Sequence, residues 1–454
     1  MKRLIKKTAG ILLSLSILMP AVVPGKAQSR YAEWNPAAGS EAEQMSGETD
    51  PEQTDPERTD PEQTNPEQTE TAQPSNGTHP AGAPEITAQS AVLMEASTGT
   101  ILYEKNAEEA LRPASITKIM TLILIFDALE SGAITLEEPV TTSAHAKSMG
   151  GSQVFLEEGE VQTVETLIKC IVIASGNDAA VAMAEHIAGS EEAFVTQMNV
   201  RAKALGMTET VFEDCCGLTD SASHLTSARD VALMSRELIV RYPQIEKYST
   251  IWMENIIHNT KQGSKEFCLS NTNKLLKMGN SFTVTGLKTG STSLAKYCFS
   301  GTARQDGMEL IAVIMAAPDY KVRFREAAAL LNYGFASCSL YQDRDEIREV
   351  LSGIPVSGGT KQKADIRYGA PFSYLCMNGE QPGDIEKVLT LPEQVEAPVK
   401  EGDPVGILEY RMGETVVGSV EIQAAESVEA AGIGDYLLWL FRAMTLRRMD
   451  TEAA

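Results

Sequence analysis

The chain has 454 residues, of which 43% are hydrophobic and 22% charged. That composition supports a sizeable buried core and excludes both a wholly disordered chain and a multispanning membrane protein. Its 39 basic against 62 acidic side chains leave a net charge of −23, which repels phosphate backbones and excludes nucleic acid as a partner.

Residues 1–27 combine a basic start (Lys2, Arg3, Lys6, Lys7), an apolar run from Ala9 to Met19, and small residues at Gly25 and Ala27. The run is shorter than the ~20 residues that span a bilayer. The segment therefore reads as a secretory signal cut after Ala27, and the working protein is expected outside the cytoplasm. Residues 28–83 are rich in Pro, Glu, Thr and Gln and carry four five-residue repeats between Asp50 and Thr69. Arg30 and Arg58 face twelve acids there, a net −10. With almost no apolar side chains to offset ordering entropy, this stretch reads as a disordered acidic tether.

Residues 84–342 read as one α+β domain. Two short apolar runs around Ser97-Thr98-Gly99 predict a β-hairpin. An apolar helix follows over Ser115–Leu129, preceded by Pro113 and hydrophobic on nearly every side, so it should be buried mid-domain. Residues 134–248 read as mainly helical. A second strand region starts near Phe282, with a turn at Arg304-Gln305-Asp306-Gly307, and an amphipathic helix spans Lys321–Ala336. Strands at both ends with helices between them predict an antiparallel sheet built from the two ends. Residues 343–428 are short strand-like pieces divided by Gly and Pro, which predicts a small all-β domain.

Residues 432–449 form an amphipathic helix in projection. Ile433, Leu437, Leu440, Phe441 and Met444 fall on one side, and Asp435, Arg442 and Thr445 on the other. Tyr436 and Trp439 suit a membrane interface, and the apolar stretch from Tyr436 to Leu446 is about half the length that spans. The helix is expected to lie on the membrane surface, with Arg447 and Arg448 reaching anionic headgroups. Packing on the β domain is the competing reading.

Seven cysteines occur with no CxxC pair, so they read mostly as small buried hydrophobes, with one disulfide left open. The five histidines are scattered without HExxH or a His/Asp cluster, so neither a metal nor another cofactor is expected.

Three motifs carry chemistry. Ser115-Ile116-Thr117-Lys118 opens the buried helix, where a spacing of three places hydroxyl and amine on one face. A buried ammonium loses affinity for its proton, so Lys118 can serve as base for Ser115. Ser175-Gly176-Asn177 follows 60 residues after Ser115, and Lys288-Thr289-Gly290 lies 113 residues beyond Ser175, on a strand. Each motif alone is weak, since Ser115 suits a helix cap and Lys288 a solvated strand charge. All three in this order and setting are the signature of penicillin-recognising serine enzymes.

From Ile86 to Tyr341 the chain resembles the low-molecular-mass penicillin-binding proteins, the serine D-alanyl-D-alanine carboxypeptidases. The stretches that carry the resemblance are EASTGTILYEKNAEEALRPASITKIMT, IASGNDAAVAMAE, FEDCCGLTDSASHLTSARDVALM, VTGLKTGST and VRFREAAALLNYGF. It implies a penicillin-binding/β-lactamase-like transpeptidase domain followed by a small all-β domain. Ser115 is then the nucleophile, Lys118 its base and Ser175 the proton relay. Asn177 binds the substrate backbone, the N–H groups of Ser115 and Ser291 form an oxyanion hole, and Lys288 and Thr289 hold the terminal carboxylate. Gly290 lets the substrate lie close to the strand, and Arg323 is a further candidate for the carboxylate. The implied partners are peptidoglycan stem peptides, β-lactam antibiotics and, through the last helix, the outer face of the cytoplasmic membrane. His224 and Asp178 read as structural. Cys215-Cys216 stand where polar residues are more usual, and the repeat tether is outside the usual layout. A serine β-lactamase, which adds a deacylating glutamate that no segment clearly supplies, is the alternative enzyme; a transpeptidase and a non-catalytic wall-binding protein on the same fold are the others.

Overall fold

The computed structural model describes residues 82–343 and 351–450, with side chains for all of these except 351, 352 and 442–450. The signal segment and the tether up to residue 81 lie outside the described residues.

The run SAVLME forms β1 (Ser90–Glu95), and all six of its residues are buried. It turns at Gly99, whose φ is +74°, into β2 (Ile101–Lys105), giving the expected hairpin. The buried Glu95 carboxylate accepts the N–H and hydroxyl hydrogens of Ser97 and Thr98, which fixes that turn. The long apolar helix begins later than its sequence suggests. Residues Ala114–Thr117 form a 3₁₀ turn, and α1 runs over Lys118–Glu130. Eleven consecutive residues of α1, Lys118 to Ala128, are buried, as a helix apolar on all sides requires.

The helical region contains a small ladder of β3 (Pro139–Thr141) and β4 (Val161–Thr163). Around it lie α2 (Ala144–Ser148), α3 (Val164–Ile173), α4 (Asn177–Ala188), α5 (Glu191–Ala204), α6 (Ala228–Arg241) and α7 (Glu246–Ser249). An antiparallel hairpin of β5 (Met253–Thr260) and β6 (Gly263–Ser270) follows, which the sequence reading did not anticipate. Most of its residues are exposed, so its alternation is weakly apolar.

The second strand region forms β7 (Thr283–Thr292), β8 (Lys296–Gln305) and β9 (Met308–Ala317), and α8 spans Tyr320–Ser337. The sheet order is β2-β1-β9-β8-β7, with every pair antiparallel. Thus β1 pairs with β9 across more than 200 residues, and the two ends of the domain close one sheet. On one face, Leu93, Phe299, Leu310, Ala312 and Ile314 pack with Phe324, Ala327, Leu330 and Leu331 of α8. Alternate residues point the other way, where Ser235 of α6 hydrogen-bonds Ser300 at 2.8 Å.

Strand β10 (Cys338–Asp343) leaves α8 directly and pairs with β13 (Phe372–Met377). The remaining strands are β11 (Leu351–Ser357), β12 (Lys363–Tyr368), β14 (Ile385–Thr390), β15 (Val395–Glu396), β16 (Pro404–Met412) and β17 (Thr415–Ala424). They form a six-stranded sheet in the order β14-β16-β17-β12-β11-β15, antiparallel except for β11 with β15. Ile354, Ala364, Ile366, Leu408, Val420 and Ile422 fill its core. The chain closes with α9 (Ile433–Asp450). All seven cysteines are unbridged, so the open disulfide question resolves to none.

Candidate active site

Ser115 sits on the 3₁₀ turn rather than on the first turn of an α-helix. In 3₁₀ geometry residues i and i+3 eclipse, so the three-residue spacing still brings Ser115 and Lys118 together. Lys118 Nζ lies 3.0 Å from Ser115 Oγ and also donates to Asn177 Oδ1 at 2.5 Å and to the Cys216 carbonyl at 2.8 Å. The Lys118 side chain is wholly buried. Burial pushes its pKa below the ordinary lysine value, against the upward pull of Cys216, Cys215, Asp214 and Asp178.

Strand β7 delivers the second lysine. Lys288 Nζ donates to Ser175 Oγ at 2.7 Å and to the Thr289 carbonyl at 3.0 Å. Burial, then repulsion from Lys118 and Arg323, holds the Lys288 pKa well below the usual range. Ser175 adopts φ +61°, a left-handed conformation uncommon for a residue with a Cβ, two residues before α4. Asn177 is the first residue of that helix. Its Nδ2 donates to the Gly150 carbonyl at 2.8 Å, which leaves Oδ1 facing Lys118.

Gly290 has a tighter constraint than a passing substrate. A Cβ there would stand 2.7 Å from the Pro113 carbonyl oxygen and 3.0 Å from Ile116 N, so the glycine lets β7 lie against the Ser115 turn. Ser291 is exposed at the end of this contact, and Thr289 Oγ1 donates to Thr272 Oγ1 at 2.7 Å. Arg323, on α8, is buried and donates Nη1 to the carbonyls of Gly290 (3.0 Å) and Cys298 (3.2 Å). It braces β7 and β8 beside Lys288 and Thr289.

These groups are the signature of an acyl-transfer serine enzyme in three dimensions, and comparison with known proteins agrees. A family model described as D-alanyl-D-alanine carboxypeptidase matches residues 77–319. The chain belongs to this family. A second model, for the penicillin-binding protein 5 C-terminal domain, matches residues 335–430. D-alanyl-D-alanine carboxypeptidase DacF of Bacillus subtilis is 40% identical over 353 residues, 77% of this chain and 88% of that protein. The Escherichia coli protein DacC is 34% identical over 79% of this chain and 90% of its own length. Penicillin binding protein 5 from Haemophilus influenzae superposes with a TM-score of 0.64 at 30% identity, covering 77% of this chain and all of that one.

At the Cys215-Cys216 departure the loop meets α1 through its backbone. The Cys215 carbonyl accepts from Thr121 Oγ1 at 2.5 Å and the Cys216 carbonyl from Lys118, so the thiols are not the contacting groups. Asp214 fastens this loop by accepting from the backbone N–H groups of Cys216, Gly217, Leu218 and Thr219. Gly217, at φ +77°, packs on the Ala114 carbonyl where any Cβ would clash at 1.8 Å.

Asp178 and His224 have the structural roles expected of them. Asp178 accepts from the N–H groups of Val154, Leu156 and Ala179, tying the loop before it to α4. His224 Nδ1 accepts from Glu213 N at 3.0 Å, so its proton is on Nε2, which donates to Thr117 Oγ1 at 2.9 Å. Burial lowers its pKa, and the neutral ring props up the nucleophile turn. Among the described residues, no carboxylate hydrogen-bonds Ser115, Lys118, Ser175 or Lys288. The sequence reading missed the Cys216 carbonyl, Gly150 and Thr272, whose backbone or hydroxyl roles leave no motif.

Proposed function

We propose that this protein removes the terminal D-alanine from peptidoglycan stem pentapeptides through a serine acyl-enzyme, and that penicillin inhibits it. The observation that carries this reading is the 3.0 Å contact between Ser115 Oγ and a fully buried Lys118 whose proton affinity is lowered.

Ser115 Oγ attacks the carbonyl carbon between the two D-alanines and its proton passes to Lys118 Nζ. The backbone N–H groups of Ser115 and Ser291 receive the developing oxyanion, a contribution of about 3 kcal/mol per donor in comparable acyl transfers. Ser175, hydrogen-bonded to Lys288, gives its proton to the leaving nitrogen as the C–N bond breaks and D-alanine departs, and takes in its place the proton that Lys118 received from Ser115. Water then cleaves the ester and restores Ser115. The substrate's terminal carboxylate meets Lys288 and Thr289, with Arg323 behind the strand. That negative charge favours the ammonium form of Lys288, which burial alone disfavours.

The same reading puts the protein outside the cytoplasm, exported by residues 1–27, and on the outer face of the cytoplasmic membrane through α9. In support, Ile433 is 82% exposed and Leu437 61%, while Tyr436, Leu438, Trp439 and Leu440 are also exposed. Among the described residues no helix is long and apolar enough to cross a membrane.

The deciding experiment incubates the protein with a peptide ending in D-Ala-D-Ala, measures D-alanine, and maps labelled penicillin. Release of D-alanine and label confined to Ser115, both lost in Ser115→Ala, are expected. Label elsewhere, or a rapidly hydrolysed penicillin with no D-alanine released, would overturn the reading in favour of another acyl acceptor or a β-lactamase.

A further inference from the structure

Glu160, immediately before β4, has a side chain with no solvent exposure. A carboxylate so buried is costly unless donors surround it, and it has three. Glu157 N donates to Oε2 at 2.9 Å, Gln162 Nε2 to Oε1 at 2.8 Å, and His258 Nδ1 lies 2.8 Å from Oε1. The His258 contact comes from β5, 98 residues away, and Gln162 reinforces it by donating to the Ile257 carbonyl at 2.8 Å. A carboxylate accepts only, so His258 Nδ1 carries the hydrogen. Its Nε2 is buried without a partner.

The aromatic contacts run the same way. His258 stands edge-on to Phe267 at 5.6 Å, and Phe267 edge-on to Phe155 at 5.8 Å. The β5–β6 hairpin therefore grips the segment 150–160 at Phe155 and at Glu160, while Asp178 holds Val154 and Leu156 on either side of Phe155. The near end of that segment orients the catalytic amide. Gly150 O accepts from Asn177 Nδ2, and Ser152 O accepts from Asn177 N, both at 2.8 Å. At Gly151, with φ +71°, a Cβ would lie 2.9 Å from Asn177 Nδ2, so the segment and the amide are in close contact.

We propose that His258 is a positioning residue for the acyl-transfer reaction: its contact with Glu160 latches the β5–β6 hairpin onto residues 150–160 and so holds Asn177 Oδ1 on Lys118. The inference rests on the assigned reaction, but its structural half does not. Without the latch, the 150–160 segment gains freedom and the Asn177 amide loses its fixed orientation. Displacements of about 1 Å at such a site cost up to about 100-fold in rate.

The test uses the full chain with His258→Phe, which keeps a ring but removes the donor, and His258→Gln, which returns an N–H to Glu160. Two readouts are taken, amide hydrogen exchange over residues 150–160 and the rate of penicillin acylation alongside kcat and KM for D-alanine release. The expected result for His258→Phe is about tenfold faster exchange in this segment, unchanged exchange in β7, and acylation and kcat slowed about tenfold with little change in KM. His258→Gln is expected to recover most of both. Lys169→Ala, which breaks the partly exposed pair between Lys169 of α3 and Glu254 of the same hairpin, is expected to alter neither. Unchanged exchange in His258→Phe overturns the latch, as does faster exchange with wild-type acylation, or a loss that His258→Gln does not relieve. A wild-type protein that fails to release D-alanine counts against the assigned reaction, while exchange and acylation still judge the latch.

Discussion

Gly290 and Pro113 touch across 177 positions of sequence: a methyl group on Gly290 would lie 2.7 Å from the Pro113 carbonyl oxygen. The strand proposed to bind the substrate carboxylate and the turn that carries Ser115 are thus packed backbone to backbone. Gly290→Ala is expected to push them apart and slow penicillin acylation of Ser115 by about 100-fold, with a native-like circular dichroism spectrum. Wild-type acylation in Gly290→Ala would mean the contact yields without cost.

Lys118→Arg retains charge but is expected to abolish acylation. A guanidinium stays protonated and cannot take the Ser115 proton, and it is bulkier than the ammonium that is wholly buried there. Labelled penicillin retained on the folded variant, followed by gel fluorescence, is the check; substantial labelling would make Lys118 an electrostatic partner only.

The lowered Lys118 pKa sets the pH profile. The base must be neutral, so acylation rises with pH through the folded-state pKa, and burial places that rise below the ordinary lysine value of 10.5. A single-turnover acylation rate measured across pH should plateau before that value and fall on the acid side. A rise that continues through 10.5 would show an ordinary, solvated lysine.

Asp178→Ala strands the N–H groups of Val154, Leu156 and Ala179 inside the protein. Leaving such donors unmet costs roughly 1–3 kcal/mol each before relaxation or water entry. We expect a loss of about 3 kcal/mol in urea unfolding with an unchanged m-value. A change under about 0.5 kcal/mol would show that the loop does not depend on this carboxylate.

Removing α9 tests membrane attachment. The full mature chain is expected in the membrane fraction and a chain ending at Ala431 in the soluble one, because Ile433, Tyr436, Leu437, Leu438 and Leu440 present apolar surface. Equal partition of the two would assign the helix another role.

Much was legible in local pattern. SxxK, SxN and KTG are short motifs whose residue types carry the chemistry themselves, and the runs SAVLME and MELIAVIMAA announce strands buried on both faces. The β5–β6 hairpin was not legible, because its mostly exposed, polar strands lack a clear apolar alternation. The helix start was misplaced by three residues, since a 3₁₀ turn and an α-helix share the same i, i+3 signal.

The sequence by itself determined which residues can react: a serine, a lysine three positions on, and two further motifs in an order that names a chemistry. Only the tertiary structure decided how they are poised. Lys118 loses affinity for its proton because distant segments enclose it, with Asn177 59 residues away and the Cys216 carbonyl 98 residues away as partners. Asn177 faces it because Gly150, 27 residues earlier, takes the other end of the amide. Burial and orientation are properties of neighbours brought together by folding, and backbone carbonyls, which do much of the holding here, are common to every residue type and leave no mark in a sequence.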